Sequence, residues 1–431
     1  MPITRKVLLI GAGGYFADSL LFFKEKGFEV ACIALPGPPG HLARNYNLYR
    51  SLGFMVLEWE DSDEFIESLQ LNEDSLILRG NFFGNMDALK FIHEHAKQQL
   101  EVFHRVTKFV EDNSTGTKSA LYFCGDNAFI DESDTEFFSK MTRYTSACLF
   151  DNDLIRDFVW QNVPALKAKT HFVTQFETPL KRFVQHNSHK PDLDSAVLSV
   201  GRDISTSDLD RFFEIKRLPE KTNLFIKVAQ KVLKKFFSIR TTKRYNLAVA
   251  DSIQELSEDR KRFQRDFAGH RFGLSYFYDL LEGAYDFTKN KQLYFSPEHQ
   301  QRSFKVFNKT FENKESHPVY YQFINTPSKD ITYLMLGLIP IISHTEHSFY
   351  KSLVDKKMAI LVQSKEDFKK LHRMSVDEIT AYRKNIFDNS DMFTFEPTGE
   401  LLLNWLQSGN RPESSQSDSL TGSRQAMYRY E

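Results

Sequence analysis

Short apolar runs alternate with longer stretches of helical spacing through the first third of the chain. The runs are rich in β-branched residues, as strands are, and Met86–Val110 is one of the longer stretches with helical spacing. Strand and helix repeated in this way predict a parallel sheet with helices on both faces. The predicted strands of this part are Val7–Ile10, Val30–Leu35, Phe54–Trp59, Ser75–Leu78, Leu121–Cys124, Ala147–Phe150 and His171–Val173.

A second series of the same kind follows a polar break. The stretch Gln185–Asp194 lacks apolar periodicity and contains a proline, so it is predicted to link two domains. From Gly409 the chain is rich in serine, glutamine and arginine, which is typical of a disordered tail. We therefore expect an N-terminal domain over 1–185, a linker over 186–195, a C-terminal domain over 196–408 and a tail over 409–431. The second domain's predicted strands are Ala196–Gly201, Asn246–Ala250, Leu293–Phe295, Val319–Phe323, Ile339–Ile342 and Ala359–Val362.

Composition narrows the class of protein. The 431 residues suffice for two domains, and 41% hydrophobic with 26% charged residues is ordinary for a globular protein. A formal net charge of −1 gives no overall field that would attract nucleic acid. No apolar stretch approaches the roughly 20 residues of a membrane span. The three cysteines lie in apolar runs and predict buried free thiols, so we expect a cytoplasmic protein, with peripheral membrane contact left open.

A glycine-rich turn, Gly11–Asp18, follows the first predicted strand. Glycines there allow a tight turn, and the next helix presents free N–H groups at its positive end. A dinucleotide site needs a third glycine where Phe16 stands, and an acid at the end of the second strand, where the sequence is ACIALPG. NAD binding is therefore disfavoured. Gly13 and Gly14 are predicted to bring backbone close to another ligand, and a purely structural turn is the alternative.

The segment Asn325–Ser343, NTPSKDITYLMLGLIPIIS, predicts a helix between two strands. A threonine cap and a proline at the first helical position start the helix, which runs to Leu336. Gly337 is predicted to end it in a left-handed conformation. The helix start then lies at the carboxyl end of a strand, where free amides suit a diphosphate. The predicted binding residues at this helix start are Thr326, Pro327, Ser328, Lys329 and Thr332.

This segment resembles the donor-binding domain of the glycosyltransferase group 1 (family 4-like) enzymes, which have the GT-B fold. The resemblance continues through Met358–Ser364 and Glu366–Phe368, so it covers about 45 residues. It implies two Rossmann-like domains whose parallel sheets face each other across a cleft. Many members carry a ribose-binding glutamate where Thr332 stands, and Asp330 is the nearest acid. An ordinary strand–helix–strand unit is the alternative. The matching residues are Pro327, Ser328, Tyr333, Leu334, Gly337, Pro340, Ile341 and Ile342.

The second domain opens with SVGRD, Ser199–Asp203, which looks like the Val-Gly-Arg turn of the same family. The resemblance implies that Gly201 and Arg202 contact the donor diphosphate, since a guanidinium pairs with phosphate oxygens in bidentate fashion. The family usually adds a lysine shortly afterwards, and here none occurs before Lys216.

Three further features bear on the chemistry. Asp126 follows an apolar strand and a glycine, so its carboxylate is a candidate catalytic group for the acceptor hydroxyl, with a turn cap as the alternative. His344, near His347, is a candidate for donor contact rather than for a metal site. The segment Lys227–Arg244 is basic with an apolar stripe at helical spacing. It predicts an amphipathic helix that binds an anionic membrane surface, or else a packed helix with a basic face.

Together these features predict a glycosyltransferase that moves a sugar from a nucleotide-sugar to a glycan, lipid-linked or protein acceptor. The resemblance implies that protein cations and amides stabilise the leaving diphosphate, so neither a metal nor a cofactor is expected. Two alternatives stay open, a non-catalytic binding or scaffold protein of the same fold and a nucleotide-dependent oxidoreductase.

Overall fold

A computed structural model gives the structure of the chain. It describes residues 5–11, 16–37, 40–80, 90–113, 116–123, 142–176, 178–184, 197–200, 239–242, 272–274, 328–342, 345, 347–362, 367, 370–371 and 373–408.

The first sheet contains seven parallel strands in the order β3-β2-β1-β4-β5-β6-β7. All seven overlap predicted strands. The five inner strands are almost entirely buried, as expected with both faces covered, whereas the edge strands β3 and β7 are mostly half-buried or exposed. Their bounds are β1 Lys6–Ile10, β2 Glu29–Ala34, β3 Met55–Glu58, β4 Leu76–Arg79, β5 Lys118–Phe123, β6 Ala147–Phe150 and β7 Thr170–Val173.

The second sheet contains five described strands, also parallel, in the order β12-β11-β10-β8-β9. Two parallel sheets in one chain confirm the predicted α/β fold class. The domain boundaries stay predictions, since the predicted linker lies outside the described residues. The strands are β8 Val197–Val200, β9 Ile239–Thr242, β10 Phe272–Leu274, β11 Ile339–Ile342 and β12 Ile360–Leu361.

Helices connect and cover the strands. Three short 3₁₀ segments, Pro164–Ala168, Lys181–Phe183 and Ser390–Met392, complete the described elements. No described helix has both the length and the apolar character needed to cross a membrane. The helices are α1 Phe16–Glu25, α2 Gly40–Ser51, α3 Asp63–Ser68, α4 Lys90–Asp112, α5 Asp153–Asn162, α6 Ser328–Met335, α7 Ser348–Asp355, α8 Val376–Asp388 and α9 Glu396–Gln407.

Alternate residues of β1 face two different cores. Val7 and Leu9 pack in a core with side chains of α1, α2 and α9, whereas Leu8 and Ile10 pack in a core with side chains of α4. This alternation is the period of two that a strand imposes, and here both faces are apolar. Cys32 and Cys148 are free and buried, and burial raises the pKa of both thiols, so they stay protonated.

The last helix, α9, packs against the first domain, although chain position places it in the predicted C-terminal domain. Its Gly399 lies against Phe22 of α1, with no room for a side chain between them. Lys118, at the start of β5, donates hydrogen bonds to the carbonyl oxygens of Trp405, Leu406 and Ser408 at the helix end. A cation at a helix C-terminus is favourable because the last carbonyls lack helical partners.

The prediction of one helix over Lys227–Arg244 is wrong for its last part, because Ile239–Thr242 forms strand β9 and pairs with β8. The sequence there is IRTT, and its three β-branched residues favour an extended backbone. The remainder of that basic segment lies outside the described residues.

Candidate functional site

In each sheet there is a point at which the strand order reverses, so that two neighbouring strands are continued along the chain in opposite directions across the sheet. In the first sheet this point lies between β1 and β4, and among the described strands of the second it lies between β8 and β10. Ligands of such sheets bind in the crevice at the carboxyl ends of the strands at this point. The strand ends are Ile10 and Arg79 in the first sheet, and Val200 and Leu274 in the second.

The first crevice is narrow, and an aromatic ring packs beside it. Gly11 has a φ of +114°, and a Cβ there would lie 2.6 Å from the Gly80 carbonyl oxygen. A Cβ on Gly80 would lie 2.6 Å from the Phe16 ring. Phe16 occupies the position of the third glycine of a dinucleotide site, so its ring fills the space that close approach of the first helix would need.

Arg79 places a buried guanidinium at this crevice. The side chain is 1% exposed, and its Nη1 donates to the carbonyl oxygen of Gly80. Burial lowers the pKa of Arg79 to about 9, because the charged form loses hydration. The side chain therefore stays mostly cationic at neutral pH and adds positive potential beneath the glycine turn.

Buried polar groups line the same sheet edge at β5 and β6. The Tyr122 hydroxyl donates to Asp151 Oδ1 at 2.9 Å, and the Gln175 side-chain amide donates to the Asp151 carbonyl oxygen at 2.6 Å. Asn152 then caps α5 by accepting the Ile155 N–H at 3.0 Å. Asp126, which follows β5, lies outside the described residues, so its catalytic role stays a prediction.

In the second sheet, helix α6 begins at Ser328, and its end matches the predicted one. Gly337 has a φ of +69° and donates to Leu334, while Leu338 donates to Tyr333, the two bonds of a Schellman motif. The predicted left-handed Gly337 is therefore confirmed. Because this tight turn leads directly into β11, α6 runs antiparallel to the strand and its start lies at the carboxyl edge.

Close packing fixes α6 against the sheet. Tyr333 is fully buried, and a Cβ on Gly273 of β10 would lie 2.2 Å from its ring. Only glycine allows this approach. Sequence analysis missed β10, whose three residues are too few for a periodic signal. The one available cue was a glycine between two apolar residues in RFGLS.

The first turn of α6 is tied to α7 through a buried carboxylate. Asp330 is fully buried, and its Oδ2 accepts a hydrogen bond from the Tyr350 hydroxyl. Its carboxylate is therefore turned into the protein. Thr332, one turn into the helix, is half-buried.

His347 is a structural cap. Its Nδ1 accepts the Tyr350 N–H at 3.3 Å at the start of α7, and its ring lies 4.1 Å from that of Tyr350. Burial lowers the pKa of His347 to about 3, so the ring is neutral at physiological pH. Within the described residues, no group of three potential ligands is placed to hold a metal ion.

At the carboxyl edges, hydrogen bonds join the first unit, which contains the first sheet, to the second unit, which contains the second sheet. Asp153, at the start of α5 in the first unit, accepts two hydrogen bonds from Ser348, at the start of α7 in the second. Each of these residues follows shortly after a strand end, β6 for Asp153 and β11 for Ser348. The contact agrees with the predicted arrangement of two sheets facing each other. The sequence separation of 195 residues made this pair inaccessible to pattern analysis.

Three of the predicted donor-binding residues are described, and all three lie on helix α6. Ser328 and Lys329 form the first turn of α6 in the backbone, and Thr332 follows on the same helix. The other predicted site residues lie outside the described part of the chain, namely Gly13, Gly14, Asp126, Gly201, Arg202, Thr326, Pro327 and His344.

Among the solved structures to which the chain is similar are two of one Arabidopsis thaliana protein. No family model matches the chain, and no curated protein matches it. The crystal structure of Arabidopsis thaliana UGT89C1 complexed with UDP-L-rhamnose has a TM-score of 0.42 and 11% identity, covering 94% of this chain and 100% of that one. The structure of the same protein complexed with UDP has a TM-score of 0.36 and 10% identity, covering 94% of this chain and 99% of that one.

Proposed function

We propose that this protein transfers a sugar from a nucleotide-sugar to an acceptor, with the donor bound at the second sheet. The start of α6 at that sheet's carboxyl edge is the observation that carries the proposal. Free amides at a helix start bind phosphate well, and the segment is the one that resembles a donor-binding domain. The donor diphosphate would lie against Ser328, with Arg202 supplying the cation.

The acceptor would bind at the first sheet, across the contact between Asp153 and Ser348. Asp126 would hold the acceptor hydroxyl or accept its proton, and the diphosphate would leave stabilised by amides and guanidinium. No metal is required in this scheme, because the protein's own groups neutralise the leaving charge.

A thermal-shift panel tests the donor site. UDP, ADP, GDP and their glucose esters are compared with NAD⁺ and NADH, because a ligand that binds the native state stabilises it by mass action. At 100 times the dissociation constant the stabilisation is about 2.7 kcal/mol. We expect a shift with at least one nucleoside diphosphate or its sugar and none with NAD⁺ or NADH. A shift with NAD⁺ or NADH alone would instead favour the oxidoreductase.

A binding protein without catalysis is the second candidate, favoured by Thr332 at the usual acidic position. Asp126→Asn separates the two, because it keeps the side-chain shape and removes the charge. An enzyme should lose about 10²- to 10⁴-fold in turnover while its nucleotide affinity stays the same. Nucleotide binding without any transfer or hydrolysis in the wild type would support the binding protein.

A further inference from the structure

Asp153 of the first unit contacts Ser348 of the second through one carboxylate oxygen. Its Oδ1 accepts the Ser348 backbone N–H at 2.9 Å and the Ser348 hydroxyl at 2.7 Å, and both bonds are partly buried. Hydrogen bonds to an ionised acceptor are about twice as strong as neutral ones. Two such bonds from one residue also fix direction, because the N–H and O–H approach from different angles.

The first unit holds Asp153 firmly in place. It is the first residue of α5, directly after Asn152, whose side chain caps the helix. Asp151, two residues before Asp153, donates its N–H to the Phe123 carbonyl oxygen at 3.1 Å. Its side chain accepts a hydrogen bond from the Tyr122 hydroxyl. The carboxylate is therefore carried by the rigid edge of the first sheet and not by a loose loop.

In the second unit, contacts of α7 connect Ser348 with helix α6. Ser348 is the first residue of α7, and His347 caps the same turn. Two residues further on, the Tyr350 hydroxyl bonds to the buried Asp330 in the first turn of α6. A short series of hydrogen bonds and one helical turn thus connect the edge of the first sheet with the helix start that faces the proposed donor.

We propose that Asp153 is a positioning residue, which through Ser348 and Tyr350 holds the first turn of α6 opposite the carboxyl edge of the first sheet. The role in transfer rests on the proposed function, whereas the contact itself does not. Transfer between two domains needs donor and acceptor in line, and a displacement of about 1 Å can cost 10²-fold in rate. A contact that sets the spacing of the two edges therefore acts on turnover more than on donor binding.

Hydrogen exchange of the ligand-free protein tests the contact. In Asp153→Ala we expect about tenfold faster exchange in peptides that cover the first turns of α7 and α6, since a charge-assisted bond is lost. The matched control is Asp377→Ala, which removes an exposed carboxylate from the first turn of α8. Unchanged exchange at α7 in Asp153→Ala overturns the proposal.

Kinetics test the positioning role. We expect Asp153→Ala to lower kcat about 10- to 100-fold while the donor dissociation constant changes less than twofold, because the donor binds the second unit alone. Asp153→Asn should recover part of kcat, since the amide oxygen can still accept both bonds. An unchanged kcat in Asp153→Ala rejects the role. A wild type with neither nucleotide binding nor transfer rejects the proposed function and this role with it, and the exchange result then still decides the contact.

Discussion

Replacing Gly273 by alanine should push helix α6 away from the second sheet. The new Cβ would lie 2.2 Å from Tyr333 Cγ and 2.4 and 2.5 Å from the two Cδ atoms. Carbon atoms in contact normally lie about 3.5–4.0 Å apart, so the ring must retreat by more than about 1 Å. Tyr333 is fully buried, so it cannot turn into solvent and must carry the helix with it.

The expected cost is that of overpacking a core, about 1–3 kcal/mol, and we expect the upper end because the ring is enclosed. For a domain of about 200 residues, a cost of about 3 kcal/mol lowers Tm by about 6–12 °C. Scanning calorimetry measures the shift, and titration calorimetry with the nucleotide that the thermal panel identifies measures the effect on binding. Because the first turn of α6 moves, nucleotide affinity should fall about tenfold.

Gly399→Ala is the matched control. Its Cβ would lie 2.3 Å from the Phe22 ring, a similar overlap, but at the interface of α9 with α1. It should lower Tm comparably and leave nucleotide affinity unchanged. The double variant Gly273→Ala/Tyr333→Leu should recover stability relative to Gly273→Ala alone, since the smaller side chain makes room for the methyl group. A Gly273→Ala protein with the wild-type Tm and affinity would refute the packing argument.

Three further changes test charges at and near the site. Asp18→Asn should stabilise the protein by about 1–3 kcal/mol at pH 7. Burial raises the pKa of the Asp18 carboxyl well above its usual 3.8, and the nearby Arg182 opposes this shift only in part. In the described structure, Asp18 Oδ1 accepts no hydrogen bond that would offset the burial. The stability linked to this raised pKa is present below pH 3.8 and lost as pH rises, so urea denaturation near pH 4 should show little gain. The wild type should lose up to about 1.4 kcal/mol of stability per pH unit as pH falls from 6.5 to 5, because His347 has a pKa of about 3 in the fold and about 6.5 in the unfolded chain. His347→Asn should lose less stability over the same range. Parallel pH profiles of the two proteins would contradict this. Arg202→Ala should weaken nucleotide binding by about 1.5–3 kcal/mol with Tm unchanged, and equal affinities by calorimetry would remove Arg202 from the site.

The first sheet could be predicted strand by strand because its signals are local. Most of its strands contain a continuous apolar run, and β6 matches its predicted bounds, Ala147–Phe150. In the second sheet, β11 likewise matches its predicted bounds, Ile339–Ile342. The end of α6 was predictable for the same reason, since a glycine after an apolar helix face specifies a left-handed cap.

The second sheet was less predictable because part of it carries little local signal. Strand β9 has one aliphatic residue in IRTT, and β10 has three residues in all. The β-branched residues of β9 favour an extended backbone, but both segments are too short to show a periodicity, and they depend on pairing with β8 and β11. The contact between Asp153 and Ser348 depends on tertiary structure alone, because neither residue belongs to a recognisable motif.

The two crevices differ in a way that bears on where a nucleotide would bind. At the first, the Phe16 ring lies against Gly80, so the glycine there admits a side chain of the protein itself. A dinucleotide-binding helix keeps that position small so that helix and strand can pack closely beneath the pyrophosphate. At the second crevice the equivalent close packing is supplied by Gly273 against Tyr333, on the side of α6 that faces the sheet, which leaves the helix start directed toward the edge. The two crevices therefore need not bind the same ligand although the strands run in the same direction, which is compatible with the proposal of a donor at the second sheet and an acceptor at the first.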